Sequence, residues 1–490
     1  MKNIRFCLKM MTFFEIKNKA IADLVSALSA NQSAHSPTEL ALNVLYVYQY
    51  SSICDAIHNF LEKKEKDKPV KTKEELALEP DEYDLETLFH KEAQVHDFLK
   101  EFLEKRNAKF WLLNTDVTSI YREHSPVLKD KEFVHAANTV IKDNKPVTIG
   151  YRLSTVALSA REGDAAWNPP LSMLKVPHNE KSNEFAARQI RLMLVDEELF
   201  GNNLVVNTLD CAYNNIGYVY PTHDIANLVN LIRMAGNRNV FNTYKGEIKT
   251  GKGAKNKYGK IFKLPDKETH TPPDLTEQFE WNMQNGRKCT VFAKQWNNMI
   301  ISGKHDKKMY DKPFNLISIQ LIDNDTDKPV YKKTLWLTLC GQRRNEINLQ
   351  EAYQSYRLRF DIEFFFRFGK QKLLLDKFQT PEVKHLQNWF WIVQFSYWLL
   401  YLSRTEGEKI VRPWEKYNQK CKNQDAKEPE NKTVKTPTQT QRTMQTILCE
   451  FVKNNLIPKP HNKCSGRVKG DSQTKRERFI VVKKGKKLNI

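Results

Sequence analysis

Eight cysteines are spread over 490 residues without one Cys-x2-Cys pair. That argues against a disulfide framework and fits reduced thiols of a cytosolic protein. Cys449, His461 and Cys464 come nearest to a zinc cluster, but their spacing matches no standard knuckle. Long apolar runs are also missing. The most hydrophobic stretch, residues 386–402, is short for a membrane span and carries Gln387, Asn388, Gln394 and Ser396, so a buried core helix is expected there. The opening MKNIRFCLKMMTFF starts basic, yet Lys9 interrupts its apolar stretch and no small-residue cleavage site follows, so no export signal is expected. Internal repeats are absent. Ser154, Ser159 and Ser172 lack the Gly-x-Ser-x-Gly setting of a hydrolase nucleophile. Gly246-x4-Gly251-Lys252 opens like a P-loop, but Gly253 stands where a magnesium-binding hydroxyl belongs. His124, His178, His223 and His385 stand singly, without ligand-spaced partners.

Negative charge is the other deficit. Lys and Arg number 78 against 58 Asp and Glu, a net charge of +20 and a pI near 9.3. Such an excess draws polyanions and favours nucleic acid through release of condensed counterions; acidic lipid is the alternative partner. The length corresponds to about three domains, ample for a large core.

The pattern along the chain divides it. Residues 1–105 read as helical, with apolar residues at helical spacing in 21–28, 40–50 and 85–102 and a charged loop at 63–73. This segment is either a helical scaffold or a DNA-end recognition domain. Residues 106–244 alternate strands and helices: strands at 110–116, 146–159, 204–210 and 239–244, helices at 181–200 and 223–234. Residues 245–340 form a β-rich stretch, with strands at 288–292, 314–322 and 334–339 after a Gly- and Lys-rich loop. Residues 341–405 return to helix. From 406 to 490 the chain is polar and basic, with one amphipathic patch at 444–456, and is expected to be partly disordered.

Three carboxylates stand out. Asp116 and Asp210 each close an apolar strand-like run, and Glu363 lies in the pattern Tyr356-x2-Arg359-x3-Glu363-x6-Lys370. On one continuous helix, at about 100° per residue, those four positions fall within an arc of about 60°. Such a stripe is poor core material and suits a surface that holds metal and grips phosphate. Phosphodiester cleavage needs hard oxygen ligands for divalent cations, which carboxylates supply. An aspartate after a strand is by itself more often a turn or cap residue. Asp130 and Asp143 are the other acidic candidates nearby.

These residues carry a resemblance. The sequence resembles DDE transposases of bacterial insertion sequences, the superfamily marked by a Y-(2)-R-(3)-E-(6)-K signature, which Tyr356, Arg359, Glu363 and Lys370 reproduce with every gap intact. Asp116-Val117-Thr118 and Asp210-Cys211-Ala212-Tyr213 are similar to the segments that carry the first and second aspartates, and the β-rich stretch stands where the family has an insertion. The resemblance spans about residues 105–405. It implies an α/β, RNase H-like (retroviral-integrase-like) mixed sheet flanked by helices, interrupted by a β-rich insertion, with a helical N-terminal domain. It also implies cut-and-paste transposition: binding of terminal inverted repeats, metal-dependent cleavage, and joining of 3′-hydroxyl ends to target DNA. Asp116, Asp210 and Glu363 would then hold two Mg²⁺ (or Mn²⁺) ions. Tyr356, Arg359 and Lys370 would contact phosphates near the element's end, Arg as a planar fork and Lys as a point charge. Trp336 is a candidate platform for a flipped base in a hairpin route, or else a core residue of its strand. A homodimer pairing two DNA ends and a cytoplasmic, nucleoid-associated location follow from the same resemblance. A structure-specific nuclease on the same core, or an inactive transposon-derived DNA-binding protein, would share these features.

Overall fold

The computed structural model describes residues 2–14, 19–61, 84–105, 107, 109–136, 146–246, 257–283, 286–303, 306–410, 434–449 and 478–481. The 63–73 loop, Asp143, Gly251 and Gly253, Cys421, His461, Cys464 and the basic run 483–487 lie outside the described residues. Along the chain come α1 (Lys2–Phe13), α2 (Lys19–Ser29), α3 (Ser51–His58), α4 (Leu85–Lys100), β1 (Trp111–Tyr121), β2 (Glu132–His135), β3 (Val147–Leu158), β4 (Pro170–Lys175), α5 (Ser182–Arg191), β5 (Val205–Leu209), α6 (Ile216–Thr222), β6 (Leu228–Met234), β7 (Asn239–Thr243), β8 (Tyr258–Lys263), β9 (Leu275–Asn282), β10 (Lys288–Ile300), β11 (Phe314–Asp323), β12 (Leu335–Cys340), α7 (Leu349–Arg357), α8 (Asp361–Lys372), α9 (Val383–Lys409) and α10 (Pro437–Cys449). The architecture is mixed α/β. Two compact units share these elements: the first takes Met1–Leu103, Val117–Lys181 and Asp361–Ile490, the second Glu104–Asp116 and Ser182–Phe360.

The first unit is organised by α9. This helix has almost no polar face, so it must be buried all round, and α1, α2, α3, α10 and β4 pack against it. Trp389, Trp391, Tyr397, Trp398 and Tyr401 are fully buried. The polar residues that break its apolar run each have a partner in that core. Gln387 accepts from the Lys175 amide at 2.9 Å and donates to the Met173 carbonyl at 2.8 Å. Gln394 donates to the Leu171 carbonyl, Asn388 to that of Ile57, and Ser396 to that of Ile392, each at 2.8 Å. Gln387 and Gln394 thus bond backbone of β4 and Asn388 that of α3, while Ser396 bonds back onto its own helix. Among the described residues no helix is long and apolar enough to cross a membrane.

Residues 40–50 are not helical as expected. A 3₁₀ turn, Pro37–Leu42, stops at Asn43, whose side chain accepts from the Leu45 amide at 2.9 Å and draws the backbone away from helix. The strand expected to end at Asp116 runs on to Tyr121, because its second half finds its own neighbour: the Arg122 amide donates to the Ile149 carbonyl at 2.8 Å. A Cβ on Gly150 would lie 2.1 Å from the Ile120 carbonyl oxygen, so the close approach of β3 to β1 requires glycine there.

The second unit holds a mixed sheet in the order β1–β5–β6–β12–β11–β10–β7–β8, with β9 also on β10. β1, β5 and β6 run parallel, and β12, β11 and β10 follow antiparallel. One face of this sheet buries Leu112, Val206, Val229, Leu231, Leu337 and Leu339 beneath Leu349, Ala352, Tyr353 and Tyr356 of α7. Those four sit at i, i+3, i+4 and i+7, the stripe a core-facing helix needs. The helix expected at 223–234 is instead a turn over residues 223–227, just past α6, followed by β6. A parallel strand buried on both faces shows no alternation, so its Leu-Val-Asn-Leu-Ile run mimics helical spacing. β8 and β9 carry no apolar strand signal in the sequence because most of their side chains face solvent.

Candidate active site

Parallel pairing levels the two aspartates. The β1–β5 register ends at Asn114↔Thr208, so Asp116 and Asp210 each lie two residues further on, side by side. The β5–β6 register ends at Leu209↔Ile232, which brings Arg233 level with Asp210. Alternation places all three on the sheet face covered by α7. Asp210 also plays the turn role common for an aspartate after a strand. Its Oδ1 accepts from the Ala212 amide at 2.8 Å and caps a 3₁₀ turn, Cys211–Tyr213. Asp116 and Asp210 both remain partly open to solvent.

A buried polar ladder holds this level. On the α7 face, Thr208 Oγ1 lies 2.5 Å from Asn114 Oδ1, and Asn114 Nδ2 donates to the Leu358 carbonyl at 3.2 Å. On the opposite face, Thr115 donates to Asn207 at 2.9 Å, Asn207 to the Tyr218 hydroxyl at 2.8 Å, and that hydroxyl to Asn230 at 3.1 Å. Apart from the Leu358 carbonyl, the rungs lie within three residues before a candidate aspartate or on β6 and α6.

The signature does not lie on one helix. α7 ends at Arg357, a 3₁₀ turn spans Leu358–Phe360, and α8 starts at Asp361. The single stripe expected from 3.6-residue periodicity is therefore broken, and its four residues divide between the two units. In the second unit, Tyr356 completes the core stripe of α7 and is 4% exposed. Arg359 is 5% exposed, with Nη1 3.6 Å from Asp116 Oδ2 and its guanidinium 4.4 Å from the Phe360 ring. In the first unit, Glu363 is exposed on α8, while Lys370 Nζ donates to Thr118 Oγ1 at 2.8 Å and to the Ser119 carbonyl at 2.9 Å. Burial depresses the Lys370 ammonium below its usual range.

Trp336 belongs to the second unit and is 7% exposed, within 6.2 Å of Phe262, His270 and Trp296, centroid to centroid. That packing matches the core alternative for this side chain; a base would have to displace those rings to stack on it. Asp130, the rival to Asp116, sits in a left-handed turn (φ 55°) with Oδ1 3.2 Å from His178 Nδ1.

Two residues of the second unit belong to the site although the sequence reading gave them no role. Tyr213 is buried, and its phenol is pushed well above the usual range by burial and then by Asp116 and Asp210. Arg233 is exposed on β6 and, with Arg359, offsets part of the effect of burial on the Tyr356 phenol. Tyr213 had a legible signal, three residues past Asp210. Arg233 had none, since the run that carries it has helical spacing in the sequence.

Paired carboxylates on a rigid sheet offer the hard oxygen donors that Mg²⁺ or Mn²⁺ takes, and their mutual repulsion favours a cation. The residues fit such an ion. Among the described residues no group of three or more His, Cys, Asp or Glu side chains is arranged to enclose a metal; the pair Asp116 and Asp210 is what the fold of the second unit brings together.

No family model and no curated protein matches the sequence. Among solved structures, the chain is similar to a piggyBac transposase, seen by cryo-EM in a synaptic complex with hairpin DNA. The identity is 10% and the TM-score 0.35, over 96% of this chain and 88% of that one. At that TM-score the likeness decides neither fold nor function.

Proposed function

We propose that this chain is a metal-dependent DDE transposase, of the superfamily with the Tyr-Arg-Glu-Lys signature, acting on duplex DNA through an RNase H-like core. The observation that carries the reading is the level placement of Asp116 and Asp210 on adjacent parallel strands, both partly open, beside the Arg359 guanidinium. The signature supplies Glu363 as the third carboxylate, and the net charge of +20 suits a polyanionic substrate.

Asp116, Asp210 and Glu363 are the residues that would hold two Mg²⁺ or Mn²⁺ ions. When bound, such ions supply Lewis acidity and lower the pKa of a bound water. The chain's own side chains do the rest. Arg359 sits against Asp116 and restrains its carboxylate. Tyr213, its pKa raised, stays protonated at neutral pH and adds no negative charge beside the aspartates. The exposed Arg233 offers a planar fork to a phosphate. Recognition of terminal inverted repeats, joining of 3′-hydroxyl ends to a target, and a homodimeric synapsis of two ends complete the reading.

The test is cleavage of a labelled duplex carrying the element's own terminal repeat, with and without Mg²⁺. Wild type should nick at the repeat boundary only with metal. Asp210→Asn and Glu363→Ala should lose nicking yet keep repeat binding. Repeat-specific binding without cutting would point to the inactive DNA-binding protein. Cutting that ignores the repeat, without strand joining, would point to the nuclease.

A further inference from the structure

α8 contains four phenylalanines in five residues, and they do not share one environment. Phe365, Phe366 and Phe368 are buried, whereas Phe364 is 47% exposed, next to Glu363. An isolated exposed ring is ordinary. This one carries a cation: the Arg367 guanidinium lies 5.4 Å from its centroid, one turn along the helix. A second ring in the same unit repeats the arrangement. Tyr121, closing β1, is 40% exposed, with the Lys370 ammonium 5.6 Å from its centroid. Lys370 is itself fixed on Thr118 and Ser119, so it tethers α8 to the strand that presents Tyr121. Arg367, Gln371 and Lys372 are exposed along the same helix.

We propose that Phe364 and Tyr121 are base-stacking platforms for unpaired nucleotides of a DNA strand whose phosphates are gripped by Arg367 and Lys372. Aromatic faces interleaved with cations are what single-stranded nucleic acid requires, because every base has a π-face and every linkage a negative charge. A protein partner of apolar character would not need a cation at each ring, and the chain's net charge of +20 selects a polyanion. The inference rests on the DNA-acting reading above. It assigns the stacking role, expected of Trp336 from the sequence, to rings that solvent already reaches.

The experiment is anisotropy of a labelled short oligothymidylate, with a duplex of equal length as reference, in metal-free buffer at fixed salt. Phe364→Ala should weaken oligothymidylate binding by about 5- to 150-fold, the range of one lost base–aromatic stack. Phe364→Trp should retain it, and duplex binding should change little. Quenching of 2-aminopurine within the oligonucleotide should fall in Phe364→Ala and in Tyr121→Leu. Equal oligothymidylate affinity in wild type and Phe364→Ala overturns the inference, as does an equal loss on duplex. If wild type cuts repeat DNA but shows no Phe364-dependent stacking, only this inference falls. If stacking is seen and wild type never cuts, the catalytic reading falls and this one stands.

Discussion

Removing one hydroxyl tests whether the ladder under the aspartates is as the fold describes it. Tyr218 is fully buried on α6; its hydroxyl accepts from Asn207 Nδ2 at 2.8 Å and donates to Asn230 Oδ1 at 3.1 Å. Tyr218→Phe keeps the ring and strands both amide groups. Asn207 retains its bond from Thr115, and Asn230 Nδ2 still donates to Thr222 at 3.1 Å, so neither side chain is free to turn and find water. A buried group left without its partner costs about 1–3 kcal/mol, so the two stranded amide groups together give an expected loss of about 2–6 kcal/mol. The gap left is about one hydroxyl in size, too small to admit a rescuing water. Urea unfolding gives the magnitude, read as a shift of midpoint at constant slope. Hydrogen exchange should locate it as faster exchange in peptides covering 205–222. A loss below about 0.5 kcal/mol, or faster exchange confined to other segments, would refute the ladder and with it the account of how Asp116 and Asp210 are kept level.

The Arg161–Asp361 pair, whose Nε–Oδ2 distance is 2.8 Å, anchors the first turn of α8 in the first unit. Asp361 is 1% exposed, so Arg161→Met leaves a buried carboxylate and should cost about 3–5 kcal/mol, while adding Asp361→Leu should recover much of it on chemical denaturation. Cys211 is exposed beside Asp210, unlike buried Cys289 and Cys340; peptide mapping should show it alkylated ahead of them, and maleimide should block nicking in wild type but spare Cys211→Ser. Burial raises the phenols of Tyr46, Tyr151, Tyr353 and Tyr397, that of Tyr353 to about 12. A raised folded-state pKa means this stabilisation is complete below the unfolded value of about 10 and is lost as pH rises through the folded values. Tyrosine absorbance at alkaline pH should therefore rise together with loss of near-ultraviolet dichroism, not before it. Gly341 has φ 134°, and a Cβ there would meet the Leu228 carbonyl oxygen at 2.3 Å; Gly341→Ala should lower the melting temperature by disturbing the β6–β12 edge.

Local signals were legible where a residue's neighbours in sequence are also its neighbours in space. The strand at 204–210, the strand opening at 110 and the buried helix over 386–402 are such cases. β6 shows no period of two in the sequence because it is covered on both faces. The spacing from Tyr356 to Lys370 makes one stripe only on an unbroken helix, and the helix breaks at Leu358–Phe360. The turn at Leu358–Phe360 is tied down by Asn114, a residue 244 positions away.

The sequence by itself determined the chemistry available: an excess of cations, three carboxylates at set intervals, and an apolar helix too polar in detail for a membrane. Which of those groups meet was decided only in three dimensions. Parallel register between β1 and β5 set Asp116 level with Asp210, and the path of β6 brought in Arg233. Burial then sorted like residues into unlike roles, sending Tyr356 and Trp336 inward and leaving Phe364 and Tyr121 out. Register and burial depend on contacts between residues far apart in the chain, and no window of sequence contains both partners.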